Sequence, residues 1–243
     1  MTISHFPKNE STSRFPFYPF YPFYLCFRLL YYSRMTPHNT ILLANGQFPQ
    51  APLPLNLLRN AERIVCCDGA AAKLLDAGMK PDFVVGDLDS LPASVRTQLS
   101  CPLIHIRDQE TNDLNKAFRF CMENHWDDIT ILGATGERED HTLGNLSLLP
   151  AFTEQCPSVQ IVTDTGYFFA LLHSGSLQCP VGTAISIFAF DTETPITSRG
   201  LQYPLVNFIP KRWWQATLNV ATEDTVSLSF PDGHPILVFR TFS

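Results

Sequence analysis

The sequence predicts an α/β protein: a mostly parallel sheet domain followed by a C-terminal antiparallel β-sandwich domain. Three observations carry that expectation. Between residues 40 and 163 short apolar runs alternate with helix-like stretches, the pattern of a parallel sheet covered on both faces. After about Asp164 the helical stretches stop, and β-rich runs are separated by turn signals. Within the first part, acidic residues fall repeatedly just past the ends of the apolar runs.

Six short buried strands are expected in the first domain, at Ile41-Leu42-Leu43-Ala44, 63–67, 83–85, 103–106, 129–132 and 160–162. Helices are expected over 70–78, 113–124 and roughly 141–152, each opened by a polar or small residue. In the second part, strands are expected at 167–172, 184–190, 226–230 and 236–239, with turns at Ser174-Gly175, Val181-Gly182 and Pro231-Asp232-Gly233. The domain division placed on this pattern is 35–163 and 166–243.

Composition narrows the function classes. Of 243 residues, 45% are hydrophobic and only 16% charged, which excludes a wholly disordered chain. A net charge of -6 argues against a surface that tracks a phosphate backbone, so no nucleic-acid partner is expected. Seven cysteines, with no C-x-x-C and with Cys66 and Cys67 adjacent in an apolar run, suggest neither a disulfide framework nor a zinc site. A cytoplasmic location fits that usage. Residues 1–34 form an aromatic-rich extension that Pro16, Pro19 and Pro22 interrupt too often for a membrane-spanning helix or a signal peptide. The extension reads as disordered or upstream sequence without a role, with the functional start at Met35.

The chemistry-bearing residues lie at strand ends. Asp68 follows one strand, and Asp87 and Asp89 follow the next. In extended geometry the Asp87-Leu88-Asp89 pair can share a face and, with Asp113, hold a hard cation such as Mg2+ through oxygen. The small-residue junction Asp68-Gly69-Ala70-Ala71-Ala72 either exposes backbone N–H groups to an anion or packs closely, with Asp68 as an N-cap. The loop 133–141 places two glycines, Arg138 and Asp140 at the same end of the sheet, with helix capping as the alternative role for Asp140 and His141. It lacks the Gly-Lys-Ser/Thr ending of a Walker loop.

Together, Cys67-Asp68-Gly69-Ala70-Ala71, Gly86-Asp87-Leu88-Asp89-Ser90, the stretch 108–117 and the loop 133–141 resemble the thiamine pyrophosphokinase family, in the family's order and over about residues 40–240. The resemblance implies transfer of a pyrophosphoryl group from ATP to thiamine, on a nucleotide-binding α/β domain followed by a thiamine-binding β-sandwich. It also implies a homodimer with active sites between subunits. On matching positions, Asp87, Asp89 and Asp113 look like Mg2+ ligands, and with Arg138 and Asp140 they form the implied catalytic set. Asp68, Gly69, Gln109, Thr111, Asn112, Lys116 and Arg138 fall where the family handles the nucleotide, and Asp140, Thr217 and Asn219 where it handles thiamine. Two positions depart from the pattern: Glu110 replaces an Asp, and Ala216-Thr217-Leu218-Asn219 stands for Ser-Thr-Ser-Asn, so Leu218 offers no hydrogen bond. Trp213 and Trp214 suit either stacking on a heterocycle or a dimer interface. Rival readings are a same-fold pyrophosphokinase acting on a pterin-like acceptor, a non-catalytic thiamine diphosphate or nucleotide sensor, and a metal-dependent phosphatase.

Overall fold

The computed structural model describes residues 39–242; the extension 1–34 and the expected start at Met35 lie outside that range. Apolar runs too short for helices become six parallel strands: β1 (Thr40–Leu43), β2 (Arg63–Cys67), β3 (Phe83–Gly86), β4 (Leu103–His105), β5 (Ile129–Leu132) and β6 (Gln160–Val162). Their spatial order is β6-β5-β1-β2-β3-β4, so the chain steps outward from β1 to β4 and then crosses back to β5. The switch in direction lies between β1 and β5, with Leu42 paired to Ile131 on one side and Val65 on the other. Every residue of β1 and β5 is buried, as a central strand covered on both faces requires.

Among the described residues six helices cover this half: α1 (Pro52–Arg59), α2 (Ala70–Asp76), α3 (Ala93–Arg96), α4 (Asp113–Glu123), α5 (Glu139–Ser147) and α6 (Leu149–Gln155). Strand residues alternate between faces. Ile41, Leu43, Ile64 and Cys66 pack with Leu58 of α1 and Leu74 of α2. Leu42, Val65, Cys67 and Ile131 pack with Phe118 of α4 and Phe152 of α6, whose rings stack at 3.9 Å. Burial pushes the Cys66 and Cys67 thiols up and Cys121 up to about 12, so these thiols stay protonated and inert. All six described cysteines are free.

Two helices differ from expectation. The stretch 52–59, where no helix is expected, forms α1, because proline is tolerated in a first turn whose N–H groups lack intrahelical partners. Asp164, 113 residues away, accepts from the Ala51 amide at 2.9 Å and the Gln50 amide at the same distance, which anchors that helix start. The helix expected over 141–152 is two, divided at Leu148, where Pro150 in the first turn of α6 has no N–H to continue the ladder.

The second half is built from β7 (Gly166–Leu171), β8 (Gly175–Gln178), β9 (Ala184–Ala189), β10 (Thr197–Arg199), a 3-10 turn at Trp213–Ala216, β11 (Asn219–Val220), β12 (Thr225–Ser229) and β13 (Ile236–Thr241). β7 pairs antiparallel with β6, so both halves share one ten-stranded sheet that continues β6-β7-β13-β9-β11. A second sheet, β10-β12-β8, closes the sandwich: its Leu177, Val226 and Leu228 pack with Phe169, Ile187 and Val238. None of the described helices is long and apolar enough to cross a membrane.

The 191–194 turn of this half is held by Asp191, whose carboxylate accepts from the Glu193 and Thr194 amides at 2.7 and 2.8 Å and meets His234 Nδ1 at 2.9 Å. The His234 hydrogen bond, with help from Thr194, holds the Asp191 carboxyl well below the usual carboxylate range. A depressed folded-state value stabilises above the unfolded value near ~4 and is lost as pH falls through the folded one. Asp191→Ala is therefore expected to cost about 1 kcal/mol at pH 7, discounted for exposure, with the gap to wild type narrowing below about pH 4. Urea unfolding at pH 7 and pH 3 checks this; an equal gap at both would remove the electrostatic assignment.

Candidate active site

The acids converge beyond the carboxyl ends of β2 and β3. Asp68 follows β2 directly in a left-handed backbone (φ 32°), and its amide donates to the carbonyl of Val85 in the neighbouring strand at 3.0 Å. Its side chain is 1% exposed. Oδ2 accepts from the Ser90 amide at 2.9 Å, whereas the buried Oδ1 has no hydrogen-bond partner. Burial raises the Asp68 pKa, the Asp113 and Asp87 carboxylates add to the rise, and the Ser90 amide opposes it. Asp68 does not cap α2, since its carboxylate turns to the 87–90 loop instead.

Asp87 and Asp89 share a side for a reason different from the one expected. Leu88 between them adopts φ 64°, a strained conformation for a leucine, and buries its side chain to 7% exposure. The chain thus turns rather than extends, and the Asp89 amide reaches Asp87 Oδ1 at 3.3 Å. The Arg96 guanidinium secures this turn by donating to the carbonyls of Leu88 and Leu91. Carboxylate oxygens of Asp68, Asp87 and Asp89 all lie within 4.8 Å of one another.

Asp113 stands beside this group rather than in it. The buried Lys116 ammonium binds Asp113 Oδ1 at 3.0 Å and Asp87 Oδ2 at 3.3 Å. Burial works against both charges, but the Lys116 bond and the Asp89 amide hold Asp87 below its ordinary value, and the two acids hold Lys116 above its own. Gly86 makes the arrangement possible: a Cβ there would lie 2.9 Å from Asp68 Cβ and 3.2 Å from Asp113 Oδ1. Three neighbouring carboxylates, one with a buried, unpartnered oxygen, suit a hard divalent cation such as Mg2+, and Asp113, expected among the ligands, stands next to them through Lys116.

The other expected site residues are placed unevenly. Arg138 and Asp140 form a two-pronged ion pair at 2.5 and 3.1 Å on the exposed loop after β5; the Arg138 bond lowers the Asp140 carboxyl to about 2. Asp140 also accepts from the adjacent His141 amide at 2.9 Å within the first turn of α5, whose N-cap position is held by Arg138 without a side-chain capping bond. Asn112 caps α4 by accepting from the Asn115 amide at 2.9 Å and links to Asn145, while Thr111 donates to Asp108 at 2.8 Å. Gln109 is exposed, with its carboxamide free among the described residues. Gly69 is not an open anion nest: a Cβ there would meet the Asn45 amide nitrogen at 2.6 Å, and the Ala71 and Ala72 amides already bond to Asp68 and Gly69 carbonyls. A cavity of about 250 Å³ opens nearby, at the ends of β1, β5 and β6, between Gln47, Pro54, Thr135 and Asp164.

The expected thiamine-side residues are remote. Thr217 donates to the Trp214 carbonyl at 2.7 Å, and the buried Asn219 spends its amide on Tyr203, accepting from its N–H at 3.0 Å and donating to its carbonyl at 2.7 Å. Asn219 begins β11, at the far edge of the ten-stranded sheet. Seven strand intervals separate β11 from β2, roughly 30 Å at ~4.8 Å per interval. Near that edge Leu218 is 81% exposed at φ 58°, and Trp214 is 70% exposed. Lys73 is a residue that sequence reasoning missed. Its position in the first turns after Asp68-Gly69 was the available signal, but its partners come from two other loops.

These features define the class, an α/β enzyme with a carboxylate site beyond its strand ends and an antiparallel half continuous with the same sheet. Residues 55–161 match the family model for the thiamin pyrophosphokinase catalytic domain, and residues 166–239 match that for its substrate-binding domain. Thiamine pyrophosphokinase 3 of Oryza sativa is 31% identical over 202 residues, covering 69% of this chain and 73% of the relative. Thiamin pyrophosphokinase 1 of Caenorhabditis elegans is 27% identical over 199 residues, covering 76% and 80%. The crystal structure of thiamine pyrophosphokinase from Bacillus subtilis superposes with a TM-score of 0.70 over 84% of this chain and 99% of that one, at 22% identity, a likeness of fold. The chain belongs to the thiamin pyrophosphokinase family, and so is a transferase.

Proposed function

We propose that the protein transfers the pyrophosphoryl group of Mg-ATP to the hydroxyl of thiamine, releasing thiamine diphosphate and AMP. The observation that carries the metal-nucleotide part is the cluster of Asp68, Asp87 and Asp89, in which the buried Asp68 Oδ1 has no hydrogen-bond partner. Mg2+ held there would neutralise phosphate charge. The thiamine oxygen forms a bond to the β-phosphorus, the bond from that phosphorus to the α–β bridging oxygen breaks, and AMP leaves with that oxygen. The hydroxyl proton is released to solvent. No covalent enzyme intermediate is needed, so the chain's work is positioning and charge neutralisation. Arg138, released from Asp140, offers a planar fork to phosphate oxygens. Asp140, ionised to low pH, is too weak a base to take the proton and instead orients the thiamine cation. Lys116 bonds to both Asp87 and Asp113 and holds them in place.

Two chains complete the site in this reading. Roughly 30 Å along the sheet separates Asn219 from Asp68, so the Thr217–Asn219 segment that meets the acids comes from a second copy. Exposed Trp214, Leu218 and Tyr203 supply apolar surface for that homodimer. The two units, 35–163 and 166–243, then divide the work between nucleotide and thiamine, in the cytoplasm.

The test is AMP release from Mg-ATP with and without thiamine, followed together with thiamine diphosphate. Equal amounts of both products, dependent on thiamine, are expected. Turnover only with another hydroxyalkyl heterocycle would move the acceptor; inorganic phosphate in place of AMP would replace the reaction class.

A further inference from the structure

The loops after β1 and β5 meet backbone to backbone. Gly46 N–H donates to the Gly133 carbonyl at 2.7 Å and Gln47 N–H to the Thr135 carbonyl at 2.8 Å. No side chain fits between them: a Cβ on Gly46 would lie 2.5 Å from the Gly133 oxygen, and one on Gly133 2.6 Å from the Ala44 oxygen. Beyond this contact the second loop runs exposed through Gly136 and Glu137 to Arg138 and Asp140. Lys73, from the first turns of α2, closes the arrangement. Its ammonium donates to the Asn45 carbonyl at 2.9 Å, the Gly46 carbonyl at 2.7 Å and Glu137 Oε1 at 2.6 Å.

We propose that Lys73 is a positioning residue for the nucleotide, acting by pinning the two loops to α2 rather than by touching phosphate. An ammonium has three N–H donors, and all three have acceptors here, so none is left for a ligand. The pin joins the helix that follows Asp68 to the loop that carries Arg138, and so fixes the spacing between the metal acids and the phosphate-facing guanidinium. It also holds one wall of the cavity beside Gln47 and Thr135. The side chains of Lys73 and Glu137 are 28% and 53% exposed, so the ion pair alone is weak; the two carbonyl contacts make it a three-point clasp.

The kinetic arm rests on the pyrophosphokinase reading; amide exchange does not. Lys73→Met is expected to raise the KM for Mg-ATP about 10-fold or more, with kcat and the KM for thiamine changed far less. Lys73→Arg, which keeps a multi-donor cation, should recover most of that loss. Amide exchange at Gly46 and Gln47 should accelerate about 10-fold in Lys73→Met, with β2 and β3 unaffected. Glu137→Gln should also weaken Mg-ATP, and the double variant should be no worse than Lys73→Met alone. Tighter Mg-ATP binding in Glu137→Gln would overturn the proposal, because it would mean that Glu137 restrains a lysine that binds phosphate directly. A lower Tm with unchanged KM and unchanged exchange would overturn it as well. Wild-type protein without thiamine-dependent AMP release would end the functional reading, while exchange at Gly46 and Gln47 would still decide the pin.

Discussion

Asp87→Asn is expected to lower thiamine-dependent AMP release by about 10³-fold or more while leaving the protein folded. The substitution removes one charge and little volume. The Asn carbonyl still accepts from the Asp89 amide, so the turn around Leu88 persists. Lys116 keeps its bond to Asp113 at 3.0 Å, so no buried ammonium is stranded. What is lost is a hard anionic donor among three whose oxygens lie within 4.8 Å. Thermal unfolding within a few degrees of wild type, together with abolished turnover that extra Mg2+ restores only weakly, is the expected pair of results. Near-wild-type turnover would remove Asp87 from the metal assignment.

The second large effect concerns stability. Gly166→Ala is expected to destabilise by about 3 kcal/mol or more, lowering Tm by on the order of 10 °C. Gly166 opens β7 opposite Thr241 of β13. A Cβ there would lie 2.1 Å from the Arg240 carbonyl oxygen and 2.9 Å from the Phe239 ring. The ring could turn aside, but the carbonyl belongs to the ladder. The Gly166 oxygen also accepts from the Thr163 amide at 2.8 Å, closing the turn where the sheet passes from parallel to antiparallel. Relief of the clash therefore means opening the join between the two halves. Calorimetry of both proteins checks this, and an unchanged Tm would show that β13 yields there without cost.

The strands of the parallel half were legible because a buried central strand reads as a continuous apolar run, as Ile41-Leu42-Leu43 and Ile129–Leu132 do. The acids were legible by their position after those runs, and their resemblance to a family by four blocks in order. Other features depended on partners distant in sequence. α1 starts where Asp164 anchors it, and no local pattern reveals that. The short strands β8, β10 and β11 carry weak alternation and exist through pairing with β12 and β9. Asn219 was placed on the thiamine side by resemblance alone, and only the fold shows its side-chain amide bonded to the Tyr203 backbone.

By itself the sequence determined the fold class and the strands of the parallel half, because hydrophobic period and chain order are local properties. Tertiary structure decided which acids meet. Asp68 takes its place through strand pairing of β2 with β3, and Asp113 is drawn aside by Lys116. It also decided that one sheet runs through both halves, which sets Asn219 of β11 at the far edge from the acids. The physical reason is common to all of these. Carboxylate placement and sheet continuity depend on hydrogen bonds and charges between residues far apart in the chain, and such contacts exist only after the chain has closed on itself.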